Sequence, residues 1–245
     1  MRKIFLILLI ILLFFNYNIK ADNQIKNMAY NCNKDNIIYH EIDSEEPGPI
    51  IIIIGGIHGD EPAGSLAAKK LTNFTPDKGK LFIFPAINKQ GLDNNNRYYI
   101  DEIDLNRAFP GDDDGNAGEK LAARLFKFIN KKADMVIDLH ESKYFAKENS
   151  EYFGQSIIAG QHDRSILISM NVVSKANEEI ENNLEEFIIN SYPAKNSLVW
   201  AVDKFIKIPS FMVETSKQME LEKRVDYHIK IVKLILEEMG VNLNE

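Results

Sequence analysis

Apolar runs without an alternating period mark the strands that this sequence predicts. The clearest is 50–54, five consecutive isoleucines followed by Gly55 and Gly56, which is typical of a strand buried on both faces of a sheet. Shorter runs predict the remaining strands at 37–42, 80–85, 135–139, 156–159 and 211–213.

Helices are predicted between these runs. The segment 61–71 has proline in its first turn, and 118–132 carries apolar residues three and four positions apart on one face. Two more helices are expected at 163–189 and 225–239, and 88–115 is expected to be a long polar loop.

The alternation of strands and helices predicts an α/β fold. Because the strands show no period of two, we expect a three-layer sandwich around a mostly parallel or mixed central sheet. Chemistry in such sheets gathers at the carboxyl ends of the strands. A chain of 245 residues with 45% hydrophobic composition can build one sizeable core.

The amino-terminal segment differs in kind from the rest. Arg2 and Lys3 precede the apolar run 4–15, which is shorter than the roughly 20 residues that span a bilayer. This pattern predicts a secretory signal and therefore an exported protein, extracellular or in the cell envelope; an uncleaved membrane anchor stays open. The expected organisation is a leader at 1–21, a polar segment at 22–48 and one globular domain at 49–245.

The overall charge argues against polyanionic partners. A formal net charge of −7 gives no general attraction for nucleic acid, and no block of basic residues contradicts this. We therefore expect no nucleic-acid partner, and membrane contact only through an uncleaved leader.

The segment 55–62, with sequence GGIHGDEP, joins a predicted strand to a predicted helix. His58 and Glu61 stand in its glycine-rich turn, and His140 follows the run 135–139. Two histidines and one glutamate at one sheet edge suit zinc with a free fourth position, which is the catalytic pattern. The alternatives are a helix cap for His58 and a rim residue for His140.

Four segments in order carry a family resemblance. They are 58–62 (HGDEP), 104–111 (DLNRAFPG), 138–140 (DLH) and 211–214 (FMVE). The chain resembles the succinylglutamate desuccinylase/aspartoacylase family, within the wider clan of zinc carboxypeptidases. That resemblance implies a zinc carboxypeptidase-like fold and a zinc hydrolase catalytic domain at 49–245. Relatives usually carry a β-rich region after the catalytic glutamate, whereas only 215–245 follow here, so a more open site is expected.

The resemblance also implies roles for individual residues. His58, Glu61 and His140 match the ligands of one zinc ion, and Asp104 matches a carboxylate that orients a ligand histidine. Glu214 matches the general base, with a residue at the start of a helix as the alternative interpretation.

Further matches concern the substrate. Asn106 and Arg107 match the pair that binds a substrate carboxylate, a partner that suits a planar guanidinium. Arg97 matches the arginine that polarises the scissile carbonyl, and Tyr192 matches a tyrosine that helps to hold substrate. A surface ion pair for Arg107 and a solvated loop around Arg97 are the alternatives, and Tyr144 and Trp200 are alternative pocket walls.

The function implied is zinc-dependent hydrolysis of an amide (C–N) bond next to a carboxylate. The substrate would be a peptide or an N-acyl amino acid with a free carboxylate. An exported binding protein of the same fold is the alternative, although such a protein would need neither a base nor an open metal position. No G-x-S-x-G motif supports a serine hydrolase.

Overall fold

The computed structural model describes residues 26–30, 37–190 and 192–245. The predicted leader at 1–21 lies outside the described residues. Within the part of the chain that is described, no helix is long and apolar enough to cross a membrane.

Ten strands are described. They are β1 (Lys26–Tyr30), β2 (Ile37–Asp43), β3 (Ile50–Gly55), β4 (Thr75–Pro76), β5 (Lys80–Phe84), β6 (Met135–Ser142), β7 (Ser156–Ala159), β8 (Ile188–Asn190), β9 (Ser210–Ser216) and β10 (Leu243–Asn244). All six predicted strands are among them.

Six α-helices are described as well. They are α1 (Pro62–Leu71), α2 (Lys89–Asn94), α3 (Ala117–Lys132), α4 (Asp163–Asn177), α5 (Leu198–Ala201) and α6 (Leu221–Glu238). Short 3₁₀ turns occupy Ile100–Glu102 and Leu105–Arg107, and a π-helix at Val202–Ile206 continues α5.

Eight strands form one mixed sheet in the order β1-β2-β5-β3-β6-β9-β7-β8. The central strands β5, β3, β6 and β9 are parallel, whereas β2 and β7 pair antiparallel with their central neighbours. Helices cover both faces, α1, α4 and α6 on one and α3 and α5 on the other. The predicted three-layer α/β sandwich is confirmed, and β1 and β2, from the polar segment 22–48, belong to its sheet.

The isoleucine run contributes to both cores. Ile51 and Ile53 belong to the core under α1, α4 and α6, whereas Ile52 and Ile54 belong to the core under α3 and α5. Because successive side chains of a strand point to opposite faces, a strand covered on both faces has apolar residues at every position.

The helix predicted at 163–189 is wrong beyond Asn177. The side chain of Asn177 accepts a hydrogen bond from the Phe187 backbone N–H at 2.8 Å and donates one to the Phe187 carbonyl at 3.0 Å. These bonds turn the chain back, so that Ile188–Asn190 forms β8 beside β7. The predicted loop 88–115 likewise contains α2 and the two 3₁₀ turns.

Two strands continue beyond their predicted ends. β6 extends to Ser142 and β9 to Ser216, so His140 and Glu214 lie within paired strands and not after them. The register places His140 directly beside Glu214. Backbone hydrogen bonding therefore fixes the relative position of these two side chains.

We predict that a buried histidine makes the apo protein sensitive to acid. His228 in α6 is fully buried, with its Nε2 atom 3.1 Å from Thr215 Oγ1. Burial, reinforced by the nearby charge of His140, lowers the pKa of His228 from 6.5 to about 3. Between these values the unfolded chain binds a proton that the folded chain excludes, so the free energy of unfolding falls as the pH falls below 6.5.

Urea unfolding at pH 7 and pH 5, with chelator present, tests this. His228→Gln keeps a polar side chain near Thr215 without the titration, and we expect it to lose about 2 kcal/mol less stability than the wild type over this range. The same loss in both proteins would contradict the prediction.

Candidate metal centre

Three buried side chains converge at the carboxyl ends of β3 and β6. His58 lies in the turn after β3, Glu61 directly precedes α1, and His140 projects from β6. Glu61 Oε1 lies 2.8 Å from His58 Nδ1, Glu61 Oε2 lies 2.8 Å from His140 Nδ1, and the two Nδ1 atoms are 3.1 Å apart. All three can therefore offer a ligand atom to the same ion.

Both imidazoles are oriented by a carboxylate on their outer nitrogen. His58 Nε2 is 3.1 Å from Asp104 Oδ1, and His140 Nε2 is 3.0 Å from Asp138 Oδ2. An acidic partner holds the proton on Nε2, which leaves the lone pair of Nδ1 for a metal. The donor set of two imidazole nitrogens and one carboxylate fits zinc.

The turn that presents His58 is built on glycines. A Cβ atom on Gly59 would lie 2.0 Å from the carbonyl carbon of Gly91 in α2, so only glycine permits this approach. The Gly59 N–H also donates to the Arg97 carbonyl at 3.4 Å. The loop that carries Arg97 is thereby attached to the metal-site turn.

Charges around the three residues favour a cation. Burial alone would raise the pKa of Glu61, but His58 and His140 lower it well below its usual range. Burial alone would lower the pKa of His140, but Asp138 and Glu61 raise it well above its usual range. Burial also opposes the low pKa of Asp104, which His58 and Arg97 produce. The centre therefore concentrates negative charge around the two imidazoles.

Glu214 faces this centre from β9. It is 8% exposed, and its Oε2 atom is buried without a hydrogen-bond partner among the described residues. Burial, with Glu61 and Asp138 adding to it, raises the pKa of Glu214 to about 8 against the opposing effect of His140 and Arg97. A carboxylate with a free oxygen and a raised pKa can accept a proton and then release it.

Arg97 lies beside the metal-site carboxylates. Its Nη1 atom donates to Glu61 Oε1 at 3.0 Å, and its Nη2 atom donates to Asp104 Oδ2 at 3.3 Å. The alternative of a plain solvated loop is therefore excluded for this side chain. The contacts place a positive charge beside Glu61 and Asp104.

Asn106 and Arg107 differ in their surroundings. Asn106 is 3% exposed, accepts from the Leu198 backbone N–H at 3.0 Å and has its Nδ2 atom 3.4 Å from His140 Nε2. Arg107 donates to the Asn106 carbonyl at 2.8 Å and forms no ion pair with a carboxylate of the described residues. Arg107 therefore keeps donors for a ligand, and Asn106 holds the backbone on which Arg107 rests.

One pocket of about 280 Å³ contains most of the predicted site residues. Its walls include His58, Glu61, Arg107, Glu214 and Tyr192. Tyr192 is 80% exposed at the mouth, so its contact with substrate stays a prediction. Of the alternative walls, Tyr144 packs against Tyr152 and Trp200 packs against Phe205; neither lines the pocket.

Two features of the site have no role in the sequence-based prediction. Asp138 was matched only as part of a motif, although its position two residues before His140 puts both on one face of a strand. Glu141 accepts the Ala63 N–H at 2.8 Å and pairs with Arg224, and so ties β6 to α1 and α6. No local sequence signal identifies the ion pair of Glu141 with Arg224, because the two residues lie far apart in the chain.

Comparisons with known proteins agree with this geometry. The catalytic-domain model of the succinylglutamate desuccinylase/aspartoacylase family matches residues 47–156. The N-alpha-acetyl-L-2,4-diaminobutyric acid deacetylase of Halomonas elongata is 36% identical over 97 residues, which are 38% of this chain and 28% of that protein.

Solved structures share the fold. The apo Cell Shape Determinant protein Csd4 of Helicobacter pylori is 21% identical with a TM-score of 0.75, over 84% of this chain and 55% of that one. A succinylglutamate desuccinylase/aspartoacylase of Rhodobacter sphaeroides is 21% identical with a TM-score of 0.66, over 85% and 60%. The chain thus spans about a quarter of the curated relative and little more than half of these structures.

The matched segment 47–156 contains His58, Glu61 and His140, and the sandwich has the zinc carboxypeptidase-like arrangement that the resemblance implied. Through this segment, the chain resembles the catalytic domain of the succinylglutamate desuccinylase/aspartoacylase family.

Proposed function

We propose that the protein is a zinc-dependent hydrolase that cleaves an amide (C–N) bond next to a substrate carboxylate. The observation that carries this proposal is the position of Glu214. Glu214 lines the same pocket as His58, Glu61 and Arg107, and its buried Oε2 atom has no hydrogen-bond partner among the described residues. A binding protein would need no such buried base beside a metal site.

Zinc would be held by His58 Nδ1, Glu61 and His140 Nδ1. Three protein ligands of this type are the pattern of a catalytic zinc, which keeps a position open. When bound, zinc supplies a Lewis acid that polarises a carbonyl and lowers the pKa of water to about 7.

Glu214 would move the proton. Its carboxylate accepts a proton from the attacking water at the unpartnered Oε2 atom and then donates it to the leaving nitrogen. Because the pocket is partly enclosed, the carboxylate is poorly hydrated and holds its proton more firmly than an exposed glutamate. That property suits a group that must act as base and then as acid.

Two arginines would handle the substrate's negative charges. Arg97, already beside Glu61 and Asp104, stabilises the charge that develops on the carbonyl oxygen. Arg107 binds the free carboxylate through its unused donors, and Asn106 fixes the backbone beneath it. Binding of the carboxylate thereby aligns the amide with Glu214.

The names of two relatives support the proposed substrate class. The Halomonas elongata relative is a deacetylase. Helicobacter pylori Csd4 is a D,L-carboxypeptidase, and one of its structures contains mDAP. A peptide or an N-acyl amino acid fits both names.

Arg2, Lys3 and the apolar run 4–15 support an extracellular or cell-envelope location. Recovery of the native protein from the cytoplasm would contradict this location.

Glu214→Gln tests the catalytic role. Loss of the base should lower kcat by about 10²–10⁴-fold on a panel of peptides and N-acyl amino acids, because general acid–base catalysis contributes that much. Zinc content, measured by elemental analysis, should stay near one ion per chain. Glu220→Gln, an exposed change before α6, is the control and should match the wild type. Full activity in Glu214→Gln would remove this mechanism.

Asp138→Asn tests the support behind His140. Loss of the carboxylate on the outer nitrogen should weaken zinc binding by about 10–100-fold. Competition with a chromogenic chelator measures the affinity, and Asp226→Asn, exposed on α6, is the matched control. Unchanged affinity in Asp138→Asn would show that His140 needs no such partner to bind metal.

A further inference from the structure

Side chains on one face of β6, β9 and β7 form two rows that cross the pocket. In the first row Glu214 lies beside His140 on one neighbouring strand and Ser156 on the other. Two residues earlier along β9, Met212 lies beside Ile158 of β7. Because alternate residues of a strand share a face, this second row lies about 7 Å from the catalytic row along the strand.

The second row ends in an apolar surface. Ile158, Met212 and Val199 form a cluster of their own, apart from the two main cores. Ile158 and Met212 are 4% and 5% exposed, and both line the pocket that contains Glu214. We name these three residues the apolar floor.

Charged pocket residues lie at the opposite end of the strands. Lys143 and Lys217 follow directly after β6 and β9, and Lys217 pairs with Asp60 at 2.8 Å. The apolar floor lies on the other side of the catalytic row, towards the amino ends of β6 and β9. Lys143 and Lys217 therefore lie on the far side of Glu214 from the apolar floor.

The carboxylate-binding residues lie next to the apolar floor. Asn106, which supports Arg107, accepts the backbone N–H of Leu198, the residue before Val199. Asp138 shares the second row, but it is fully buried beside His140 and its side chain is not part of the pocket wall. The side chains of the floor cluster itself, Ile158, Met212 and Val199, are all apolar.

From this juxtaposition we propose that the apolar floor receives the side chain of the residue that bears the substrate's free carboxylate, and that this side chain is apolar. The inference rests on the proposed function and names its substrate class. With the carboxylate on Arg107 and the amide at Glu214, the intervening Cα atom lies above Met212 and Ile158. A charged side chain would lose its hydration there without gaining a partner.

Binding and turnover of a matched panel test the apolar floor. The ligands are the N-acetyl derivatives of leucine, glutamate and lysine, each as both enantiomers. Calorimetry uses zinc-loaded Glu214→Gln protein, and kcat/KM is measured with the zinc-loaded wild type. We expect one leucine derivative to bind at least about tenfold more tightly than the glutamate and lysine derivatives, with the same order in kcat/KM.

Two variants change the apolar floor in different ways. Ile158→Ala enlarges it and, with N-acetylphenylalanine added to the panel, should shift the preference from the leucine to the phenylalanine derivative at least severalfold. Met212→Lys adds a positive charge and should make the glutamate derivative the preferred ligand, provided that thermal unfolding shows a folded protein. Leu167→Ala, exposed on α4, is the control and should keep the wild-type order.

Several results would overturn the apolar floor as a specificity site. They are tighter or equal binding of the glutamate or lysine derivative, an unchanged order in folded Ile158→Ala, or no binding of any derivative. Absence of turnover with every substrate would instead remove the proposed hydrolysis. The order of binding affinities measured by calorimetry with Glu214→Gln would still test whether the apolar floor selects apolar side chains. The failure of the proposed hydrolysis and the failure of the apolar floor are therefore distinguishable.

Discussion

The site depends on one arrangement: two buried imidazoles, each held by a carboxylate on its outer nitrogen. Asp104 and Asp138 turn the Nδ1 atoms of His58 and His140 towards each other and towards Glu61. Buried carboxylates near one another are costly unless positive charge compensates them. A divalent ion at the centre would provide that compensation, and the parallel strands β3 and β6 bring the two histidines to the same edge.

The sequence predicted the centre of the sheet and the grouping of His58, Glu61 and His140 because local signals exist for both. Five consecutive isoleucines indicate a strand covered on two faces, and the glycines at 55–59 indicate a turn after it. The end of α4 has no such local signal. The polar residues after Asn177 are compatible with helix, and only the hydrogen bonds between Asn177 and Phe187 show where the chain turns back.

The support around the site was harder to predict than the ligands. In a strand buried on both faces, composition does not reveal which positions face the pocket, so Asp138 and Met212 acquire their roles only from the register of β6, β9 and β7. The ion pair of Glu141 with Arg224 joins residues far apart in the chain. Tyr192 shows the reverse case, since the resemblance suggested a contact and the structure places an exposed side chain at the pocket mouth.

The central claim is that one zinc ion is held by the inward-facing nitrogens of two histidines and by Glu61. A crystal structure of the zinc-loaded protein, with anomalous diffraction recorded at the zinc edge, tests it most directly. We expect one strong peak at about 2.0–2.1 Å from His58 Nδ1 and His140 Nδ1, with a Glu61 oxygen completing the three protein ligands. A peak elsewhere, ligation through either Nε2 atom, or no peak at saturating zinc would contradict it.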